Sequence, residues 1–259
     1  MIQIKELTKV YKLSKKQMTE QKTKKNKKRA VDGVSMIAKP GEIYGLLGPN
    51  GAGKTTTLRC ISTLLQPTEG SIQVCGLDTV KDSQKVREKI AFLTNEIKLD
   101  PQFSPKYMFQ FFGKLHGLTN AEITQRMDKL FEQFGITEFK DKKIEELSTG
   151  MKQKAAIAVS LAHDPQVVIF DEPTNGLDIV TARTVTDYLK ELKAQGKIVL
   201  VSTHIMSEAE KLCDRIGIII NGQKVMEGTL EEILQQTQGK DLEDAFFCLY
   251  EKYTKEEEQ

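Results

Sequence analysis

A glycine-rich segment near residue 50 has the residue types and spacing of a phosphate-binding loop. It reads Gly48-Pro49-Asn50-Gly51-Ala52-Gly53-Lys54-Thr55 and is followed by Thr56, and it matches the pattern G-x-x-x-x-G-K-[ST]. The glycines let the backbone curl so that successive N–H groups point at phosphate oxygens. Lys54 can reach the terminal phosphates, and the Thr55 hydroxyl is a ligand for Mg²⁺. The segment therefore predicts a site for a nucleoside triphosphate and Mg²⁺.

The surroundings of this loop favour phosphate binding over an ordinary solvated turn. The run EIYGLL before it is typical of a strand, and TTLRCISTLLQ after it carries Leu58, Ile61, Leu64 and Leu65 at helical spacing. A strand that ends in the loop and a helix that begins there are the context that the pattern requires. The helix would add the positive end of its dipole to phosphate binding.

A second pattern, Val167-Val168-Ile169-Phe170-Asp171-Glu172, has four apolar residues that end in two carboxylates. Nucleotides bind at the carboxyl ends of the strands in open α/β sheets. We therefore expect Asp171 to hold the Mg²⁺ shell and Glu172 to take a proton from the attacking water. The alternative is a strand that simply ends in solvated acids, and the phosphate-binding loop in the same chain argues against it.

A third motif, Leu147-Ser148-Thr149-Gly150-Met151-Lys152-Gln153, narrows the class of protein. Ser148 stands 23 residues before Asp171 and opens a helical stretch, where by itself it is a good N-cap. Together with the first two motifs, in this order and spacing, it resembles the ATP-binding-cassette (ABC) family, whose signature is usually L-S-G-G-Q. The resemblance covers residues 1–235 and is strongest to the ATPase subunits of ABC-2-type exporters, including the sodium-efflux (NatA-type) group.

The resemblance assigns the signature to an opposing subunit. It implies that Ser148 and Gly150 hydrogen-bond the γ-phosphate of an ATP molecule held on the partner's phosphate-binding loop. Thr149 and Met151 replace the usual Gly and Gln of the signature. Asp178, in Gly176-Leu177-Asp178, corresponds to the D-loop at the subunit interface.

Three further residues gain a role only from the resemblance. His204, at the end of the strand-like VSTH, corresponds to the switch histidine at the γ-phosphate, although by itself it would be read as a capping or core histidine. Tyr11 corresponds to the aromatic residue that stacks on adenine, and its alternative is an ordinary strand-end tyrosine. Asn95 stands where the family usually has the Q-loop glutamine. It is one methylene shorter, so we expect a weak contact with Mg²⁺.

Length and composition fit a globular chain. The 259 residues, 39% hydrophobic and 29% charged, suit one large domain with an inserted subdomain and exclude a disordered or fibrous chain. No apolar run approaches the roughly 20 residues of a membrane-spanning helix, and charges at Lys5, Glu6 and Lys9 disfavour a secretory signal. The cysteines and histidines lack metal-ligand spacing. We expect a cytosolic protein without disulfides or zinc.

The positive charge is concentrated in one tract. Residues 12–29 hold nine basic residues against Glu20, a local charge of +8, so the remainder carries −6 within a net charge of +2. A general nucleic-acid binder is therefore not indicated, and no direct nucleic-acid contact is expected. The tract lacks an apolar period and predicts a solvated loop after Tyr11 that either does nothing more, contacts anionic lipid or regulates access to the adenine site.

The elements that position these motifs predict an α/β fold. SIQVCG, KIAFLT, QVVIFDE, KIVLVST and DRIGIIING are short apolar runs that alternate with helical stretches, which indicates a buried, mainly parallel sheet. From about residue 101 to 163 the periodicity is helical, which predicts an inserted α-helical subdomain. The resemblance implies a P-loop NTPase (RecA-like) core and an N-terminal antiparallel β subdomain.

The expected domain layout follows these elements. An ATP-binding cassette spans 1–236, with its core at about 1–94 and 165–236, the helical subdomain at about 95–164 and the Lys-rich loop at 12–29. A helical tail spans 237–259.

The resulting hypothesis is a cytosolic ATPase subunit of an ABC transporter. Two cassettes, as a homodimer or heterodimer, would close around two ATP molecules and drive a separate transmembrane permease, such as one for Na⁺ or drug efflux, at the inner face of the membrane. The permease would dock near residues 95–104. One alternative is a non-transport ABC ATPase that acts on ribosomes or nucleic acid, and another is a cassette that binds ATP without hydrolysing it.

Overall fold

The computed structural model describes residues 1–20, 25–94 and 98–255. The strands are β1 (Ile2–Lys12), β2 (Lys27–Ala38), β3 (Ile43–Leu47), β4 (Glu69–Val74), β5 (Leu77–Asp78), β6 (Ile90–Thr94), β7 (Val167–Asp171), β8 (Ile198–Thr203), β9 (Arg215–Ile220) and β10 (Gln223–Gly228). The helices are α1 (Lys15–Glu20), α2 (Lys54–Ile61), α3 (Ser83–Lys89), α4 (Pro105–Leu115), α5 (Asn120–Gln133), α6 (Thr149–Ser160), α7 (Ile179–Ala194), α8 (Met206–Leu212), α9 (Leu230–Thr237) and α10 (Leu242–Lys255).

The core of the protein is a mainly parallel sheet with the strand order β10-β9-β3-β8-β7-β6. Only β10 runs antiparallel to its neighbour within this described sheet. All residues of β3 and β8 are buried, because α7 packs on one face of the sheet and α2 packs on the other together with β1 and β2. A strand that is buried on both faces is a continuous apolar run. The expectation of a buried parallel sheet is confirmed.

The register of the sheet brings the chemical motifs to one edge. Leu47, the last residue of β3, lies opposite Thr203 of β8. Asp171, the last residue of β7, lies opposite Ser202. Three parallel strands therefore end side by side, and the loops that carry the phosphate-binding motif, the two carboxylates and His204 leave the sheet at the same edge.

A smaller antiparallel sheet with the order β2-β1-β4-β5 packs beside the core. Ile2, Ile4 and Leu7 of β1 and Val34 and Met36 of β2 are buried in one hydrophobic cluster with Leu58 and Ile61 of α2. The sheet therefore rests on the helix that follows the phosphate-binding loop. The N-terminal antiparallel subdomain implied by the family resemblance is confirmed.

The basic tract differs from the predicted loop. Lys12 belongs to β1, Lys15–Glu20 form α1, and β2 begins at Lys27. Lys12 pairs with Lys27 in the β1–β2 ladder, and the Leu13 N–H donates to the Asn26 carbonyl oxygen at 2.9 Å. Backbone pairing does not depend on side-chain charge, so the hairpin continues into the tract and leaves the lysines that the structure describes there exposed. Residues 21–24 lie outside the described ranges.

The segment between β6 and β7 is helical, as predicted. It contains α4, α5 and α6 with two 3-10 turns, Thr137–Phe139 and Ile144–Glu146. Thr119 and Glu122 form a capping box at the start of α5, and the buried face of α5 (Ile123, Met127, Leu130, Phe131) has the spacing of an amphipathic helix. Phe109 of α4 meets Phe131 edge-to-face, with ring centroids 5.4 Å apart.

The C-terminal helix α10 packs on the core. Leu242, Ala245, Phe246 and Leu249 of α10 are buried in a cluster that includes Ile216, Ile218 and Ile220 of β9. Residues 256–259 lie outside the described ranges. Within the described part of the chain, none of the helices has the length and apolar character needed to cross a membrane.

Candidate nucleotide-binding site

The phosphate-binding loop is shaped by glycines that no other residue could replace without rearrangement. A Cβ atom on Gly48 would lie 2.2 Å from the Ile219 carbonyl oxygen, and one on Gly53 would lie 2.5 Å from the Ala30 carbonyl oxygen. Gly53 has a φ of 109° and is the N-cap of α2, where no side chain caps the helix. The first-turn N–H groups of a helix lack intrahelical acceptors. They are therefore available here to phosphate oxygens.

Lys54 lies buried inside this loop. Its Nζ donates to the carbonyl oxygens of Gly48 at 2.6 Å and Pro49 at 3.1 Å, and only 5% of the residue is exposed. Burial lowers the pKa of Lys54, while the negative charges of Glu172 and Asp171 act in the opposite direction. The ammonium group is thus held in the mouth of the loop, within reach of the charges of Asp171 and Glu172.

A pocket of about 220 Å³ opens above the loop. The pocket is lined by residues of the small sheet, of the loop and the start of α2, and by the residue after β7: Tyr11, Lys28, Ala30, Asn50, Gly51, Gly53, Lys54, Thr55, Thr56 and Glu172. The Tyr11 hydroxyl lies 3.5 Å from the Thr56 hydroxyl, and the Lys9 ammonium lies 5.7 Å from the centre of the Tyr11 ring. The structure therefore brings Tyr11 to the rim of the phosphate-binding pocket, where an adenine ring could stack on it.

Lys28 was missed as a site residue by the sequence analysis. It pairs with Tyr11 across the β1–β2 hairpin and lines the same pocket. The available signal was the two strand-like runs that flank the basic tract, because a hairpin returning to Tyr11 must place one lysine of the tract opposite it. The interpretation of the tract as a loop concealed this pairing.

Asp171 is held at the sheet edge by its neighbour in β8. The Ser202 hydroxyl donates to Asp171 Oδ1, and the Glu172 N–H donates to the Ser202 carbonyl oxygen at 3.1 Å. Ser202 is fully buried. It therefore fixes the first carboxylate directly and the backbone of the second, a role that the sequence analysis did not assign to it.

Glu172 and His204 are in contact. The His204 Nδ1 donates to Glu172 Oε1 at 2.9 Å, and the Asn175 side-chain amide donates to Glu172 Oε2 at 2.6 Å. Glu172 has a φ of 55°, a left-handed conformation that a non-glycine residue adopts at a cost of about 1–3 kcal/mol. Burial alone would raise the pKa of Glu172, but the hydrogen bonds from His204 and Asn175 and the charge of Lys54 lower it below its ordinary value. The carboxylate is therefore ionised at neutral pH.

The signature residues form the start of α6. The Ser148 hydroxyl accepts a hydrogen bond from the Met151 N–H at 3.3 Å and caps the helix. A Cβ atom on Gly150 would lie 3.7 Å from Asp178 Oδ2, so the signature and the D-loop are neighbours in one chain. Thr149 is exposed at the same helix end. None of residues 148–151 is among the described residues that line the pocket at Lys54.

Asp178 caps helix α7. Its Oδ1 accepts hydrogen bonds from the Val180 and Thr181 N–H groups, each at 3.0 Å, and its Oδ2 accepts from the Thr181 hydroxyl at 2.6 Å. Hydrogen bonds from Thr181 lower the pKa of Asp178. Ile179 and Val180, the next two residues, are 89% and 70% exposed. The D-loop thus presents an ordered carboxylate beside an exposed apolar pair.

The residues present fit a Mg²⁺ ion of the kind that accompanies a nucleotide. Thr55 offers a hydroxyl in the pocket, and Asp171 ends β7 close enough for its charge to act on Lys54. Such an ion keeps several waters and needs few protein ligands. Among the described residues, no group of three or more His, Cys, Asp or Glu side chains could hold a metal by itself. Asn95, predicted to contact Mg²⁺, lies outside the described residues.

Comparison with known proteins agrees with this geometry. The ABC transporter family matches over residues 31–175. The chain is 41% identical over 224 residues to the ABC transporter ATP-binding protein NatA of Bacillus subtilis. The matched region covers 86% of this chain and 91% of the relative. It is 40% identical over 213 residues to the linearmycin resistance ATP-binding protein LnrL of the same species. This match covers 82% of this chain and 68% of LnrL.

Solved structures show the same architecture. The ATP-binding subunit of an ABC transporter superposes with a TM-score of 0.85 at 28% identity, over 96% of this chain and 99% of that one. A dimeric ATP-binding cassette in a post-hydrolysis state, bound to ADP and phosphate, superposes with a TM-score of 0.77 at 28% identity, over 89% and 99% of the two chains. The chain therefore belongs to the ABC transporter family and is an ATP-binding subunit that hydrolyses ATP.

Proposed function

We propose that this chain is the ATPase subunit of an exporter, and that two cassettes close around two ATP molecules to drive a separate transmembrane permease. The observation that carries the proposal is the contact of Glu172 with His204 beside the buried Lys54. The names of relatives support export: a Nod factor export ATP-binding protein of Ralstonia nicotianae is 38% identical over 216 residues, and LnrL is a resistance protein. No relative among these supports the alternative of an ATPase that acts on ribosomes or nucleic acid.

In this proposal the phosphate-binding loop holds the triphosphate. The first-turn N–H groups of α2 and the Lys54 ammonium neutralise the charge of the phosphates. Thr55 and Asp171 would hold the Mg²⁺ ion, which when bound neutralises charge on the phosphate oxygens. Tyr11 supplies a ring for the adenine at the pocket rim.

Glu172 is the proposed general base. Its carboxylate is ionised at neutral pH and its two oxygens are oriented by His204 and Asn175, so it can accept a proton from the water that attacks the γ-phosphorus atom. His204 holds this carboxylate through Nδ1, and when both ring nitrogens carry a proton, Nε2 can donate to the γ-phosphate. Phosphoryl transfer needs positioning and charge neutralisation more than covalent catalysis, and these residues supply both.

The signature and the D-loop would act on the partner's nucleotide. Residues 148–151 start helix α6 away from the pocket of their own chain, and Asp178 adjoins Gly150. The exposed Ile179 and Val180 beside Asp178 would be covered by the partner cassette. In a head-to-tail pair of cassettes, identical or not, each chain would place its signature at the partner's nucleotide and bury the apolar pair beside Asp178.

The permease would dock at the groove between the core and the helical segment, near residues 95–104. Three aromatic side chains on this side of the helical segment are exposed and stacked. Phe103 lies 4.4 Å from Tyr107, and Tyr107 lies 6.5 Å from Phe111, measured between ring centroids. Their exposed fractions are 38%, 47% and 49%. An apolar helix of a permease would bury this row.

The subunit would lie on the cytoplasmic side, attached to the inner face of the membrane through the permease. The basic tract would then be near an anionic surface. Each Lys near such a surface contributes about 1 kcal/mol of binding free energy, so the tract at 12–29 would support this position.

The test compares two variants of the nucleotide site with a surface control. Lys54→Ala should abolish tight ATP binding, because the phosphates lose the cation inside their loop. Glu172→Gln should bind ATP normally, hydrolyse it very slowly and accumulate an ATP-bound dimer. Lys85→Ala, whose side chain is 69% exposed, should resemble wild type in all three measurements: nucleotide binding, turnover and size by chromatography.

The two variants also separate the parts of the proposal. Near-normal turnover of Glu172→Gln would overturn Glu172 as the base. An inactive Glu172→Gln that stays monomeric with saturating ATP would overturn the closed dimer and leave the base assignment intact.

A further inference from the structure

Glu208 of helix α8 bridges two loops of the catalytic edge. Its Oε1 accepts a hydrogen bond from the Thr174 hydroxyl, and its Oε2 accepts one from the Thr203 hydroxyl at 3.0 Å. Thr174 lies two residues after Glu172, and Thr203 lies immediately before His204. One carboxylate therefore ties together the two chain segments that carry the Glu172–His204 contact.

The bridge lies just beyond the end of the β7–β8 ladder. The β7–β8 ladder ends at Asp171 and Ser202, and the Glu172 N–H makes the next contact, to Ser202. Beyond this point the two segments of the chain diverge. Glu172 turns away with a positive φ, and the segment after Thr203 leads into α8. The Thr203 hydroxyl also accepts a hydrogen bond from the Ile205 N–H at 3.0 Å. The backbone on both sides of His204 is thereby attached to the same hydroxyl.

The surroundings of Glu208 favour a fixed carboxylate. Thr203 is 3% exposed, and Glu208 and Thr174 are half-buried. Arg183, Lys190 and Lys211 line the small cavity that Glu208 also lines, so positive charges surround it. Hydrogen bonds to a charged acceptor are stronger than those between neutral groups. Because one carboxylate accepts both bonds, it fixes the positions of Thr174 and Thr203 relative to each other.

We propose that Glu208 is a positioning residue, which holds Glu172 and His204 at the geometry needed for hydrolysis through Thr174 and Thr203. This inference rests on the roles proposed above for Glu172 and His204. Glu208 does not line the nucleotide pocket. Its removal should therefore impair turnover while leaving ATP binding intact.

The test measures kcat, the KM for ATP and the melting temperature of variants of the whole chain with its partner permease. Glu208→Ala should lower kcat about 10- to 100-fold, the loss typical of a displacement of about 1 Å among reacting groups, with an unchanged KM. Glu208→Gln should restore most of kcat, since its carbonyl oxygen can accept from Thr174 and its amide can donate to Thr203. Lys85→Ala, the exposed variant used above, serves again as the control and should match wild type.

A second pair of measurements separates positioning from a merely structural role. In the Glu172→Gln background, Glu208→Ala should add little further loss of kcat, because the group that it positions no longer acts. Thr174→Val removes one arm of the bridge with little change of volume and should lower kcat in the same direction, which keeps the test valid if Glu208→Ala folds poorly.

The results that would overturn the inference differ from those that would overturn the proposed function. Wild-type kcat for Glu208→Ala and Thr174→Val, alongside an inactive Glu172→Gln, would overturn the positioning role alone. The inference would also be overturned if Glu208→Ala lowered ATP affinity, kcat and melting temperature together and Glu208→Gln restored none of them.

Discussion

The side chain of His204 holds the carboxylate of Glu172 through a hydrogen bond of 2.9 Å from Nδ1 to Oε1. The two residues are 32 positions apart in the chain. Glu172 follows β7 and His204 follows β8, and they meet because these two strands are neighbours in the parallel sheet. Glu172 also accepts from Asn175. The contact joins the proposed base to the residue that would report the presence of the γ-phosphate.

Replacement of His204 should separate ATP binding from hydrolysis. We expect His204→Ala to lower kcat by about 100-fold or more, the cost of losing one aligned donor in a catalytic site, with ATP affinity nearly unchanged. Single-turnover hydrolysis and equilibrium nucleotide binding measure the two quantities. His163→Gln, which changes a histidine outside the pocket, is the matched control, and a kcat for His204→Ala near that control would contradict the prediction.

Lys28 should contribute to nucleotide affinity. It lines the pocket opposite Tyr11 and it is exposed, so its attraction for the triphosphate is screened. We expect Lys28→Ala to weaken ATP binding about two- to fivefold, the size of an exposed charge interaction. Lys27→Ala is the matched control, because Lys27 precedes Lys28 in β2 and is not among the described residues that line the pocket. Titration with a fluorescent ATP analogue would measure the difference, and equal affinities would exclude Lys28 from the site.

The rest of the basic tract should govern contact with anionic membranes. Serine replacement of Lys15, Lys16, Lys22, Lys24, Lys25 and Lys27, with Lys28 retained, should weaken salt-sensitive binding to vesicles that contain phosphatidylserine. The basal ATPase rate should stay near wild type, because the four of these lysines that the structure describes, Lys15, Lys16, Lys25 and Lys27, do not line the nucleotide pocket. Vesicle co-sedimentation at low and high salt would measure binding. Unchanged binding at low salt would exclude lipid contact, and a changed ATP affinity would instead favour regulation of the adenine site.

His163 should make the stability of the fold depend on pH. Burial, followed by the charge of His116, lowers the pKa of His163 from 6.5 to about 4, with Arg126 acting in the same direction and the Ile90 carbonyl oxygen and Asp164 opposing it. The two imidazole rings stack with centroids 4.0 Å apart. Between pH 6.5 and pH 4 the unfolded chain binds a proton that the folded chain does not, so the free energy of unfolding falls as pH falls through this window.

The size of this pH dependence, and the effect of replacing His163, follow from the same difference in proton binding between the folded and unfolded chain. A single such group contributes at most about 1.4 kcal/mol for each pH unit. His163→Gln should flatten the pH dependence between 6.5 and 4, measured by chemical unfolding in a series of buffers. An identical slope in wild type and variant would show that His163 is not the group responsible.

Asn95 should be an imperfect substitute for the Q-loop glutamine. Its position in the sequence, one residue after β6, matches the family pattern, and its side chain is one methylene shorter. Asn95→Gln should therefore preserve or raise the ATPase rate and reduce the Mg²⁺ concentration needed for half-maximal activity. A Mg²⁺ titration of turnover measures this, and a large loss of activity would contradict the assignment of Asn95 to the Q-loop position.

The sequence by itself was sufficient for the motifs, the fold class and the family, because each depends on local order. The phosphate-binding loop needs a strand, a glycine-rich turn and a helix in succession, and Gly48 to Lys54 supply the turn within one short segment. The apolar runs of the parallel strands are recognisable for a similar reason, since burial on both faces leaves no polar alternation.

Only the tertiary structure decided which residues meet at the site. Tyr11 and Lys28 are paired by a hairpin whose connection is strongly charged, and charge masks the strand pattern although backbone pairing tolerates it. The contacts of Glu172 with His204, and of Glu208 with Thr174 and Thr203, depend on the order and register of strands that are distant in the chain. Side-chain spacing along a sequence carries no information about which strands become neighbours, so these contacts emerge only when the sheet is assembled.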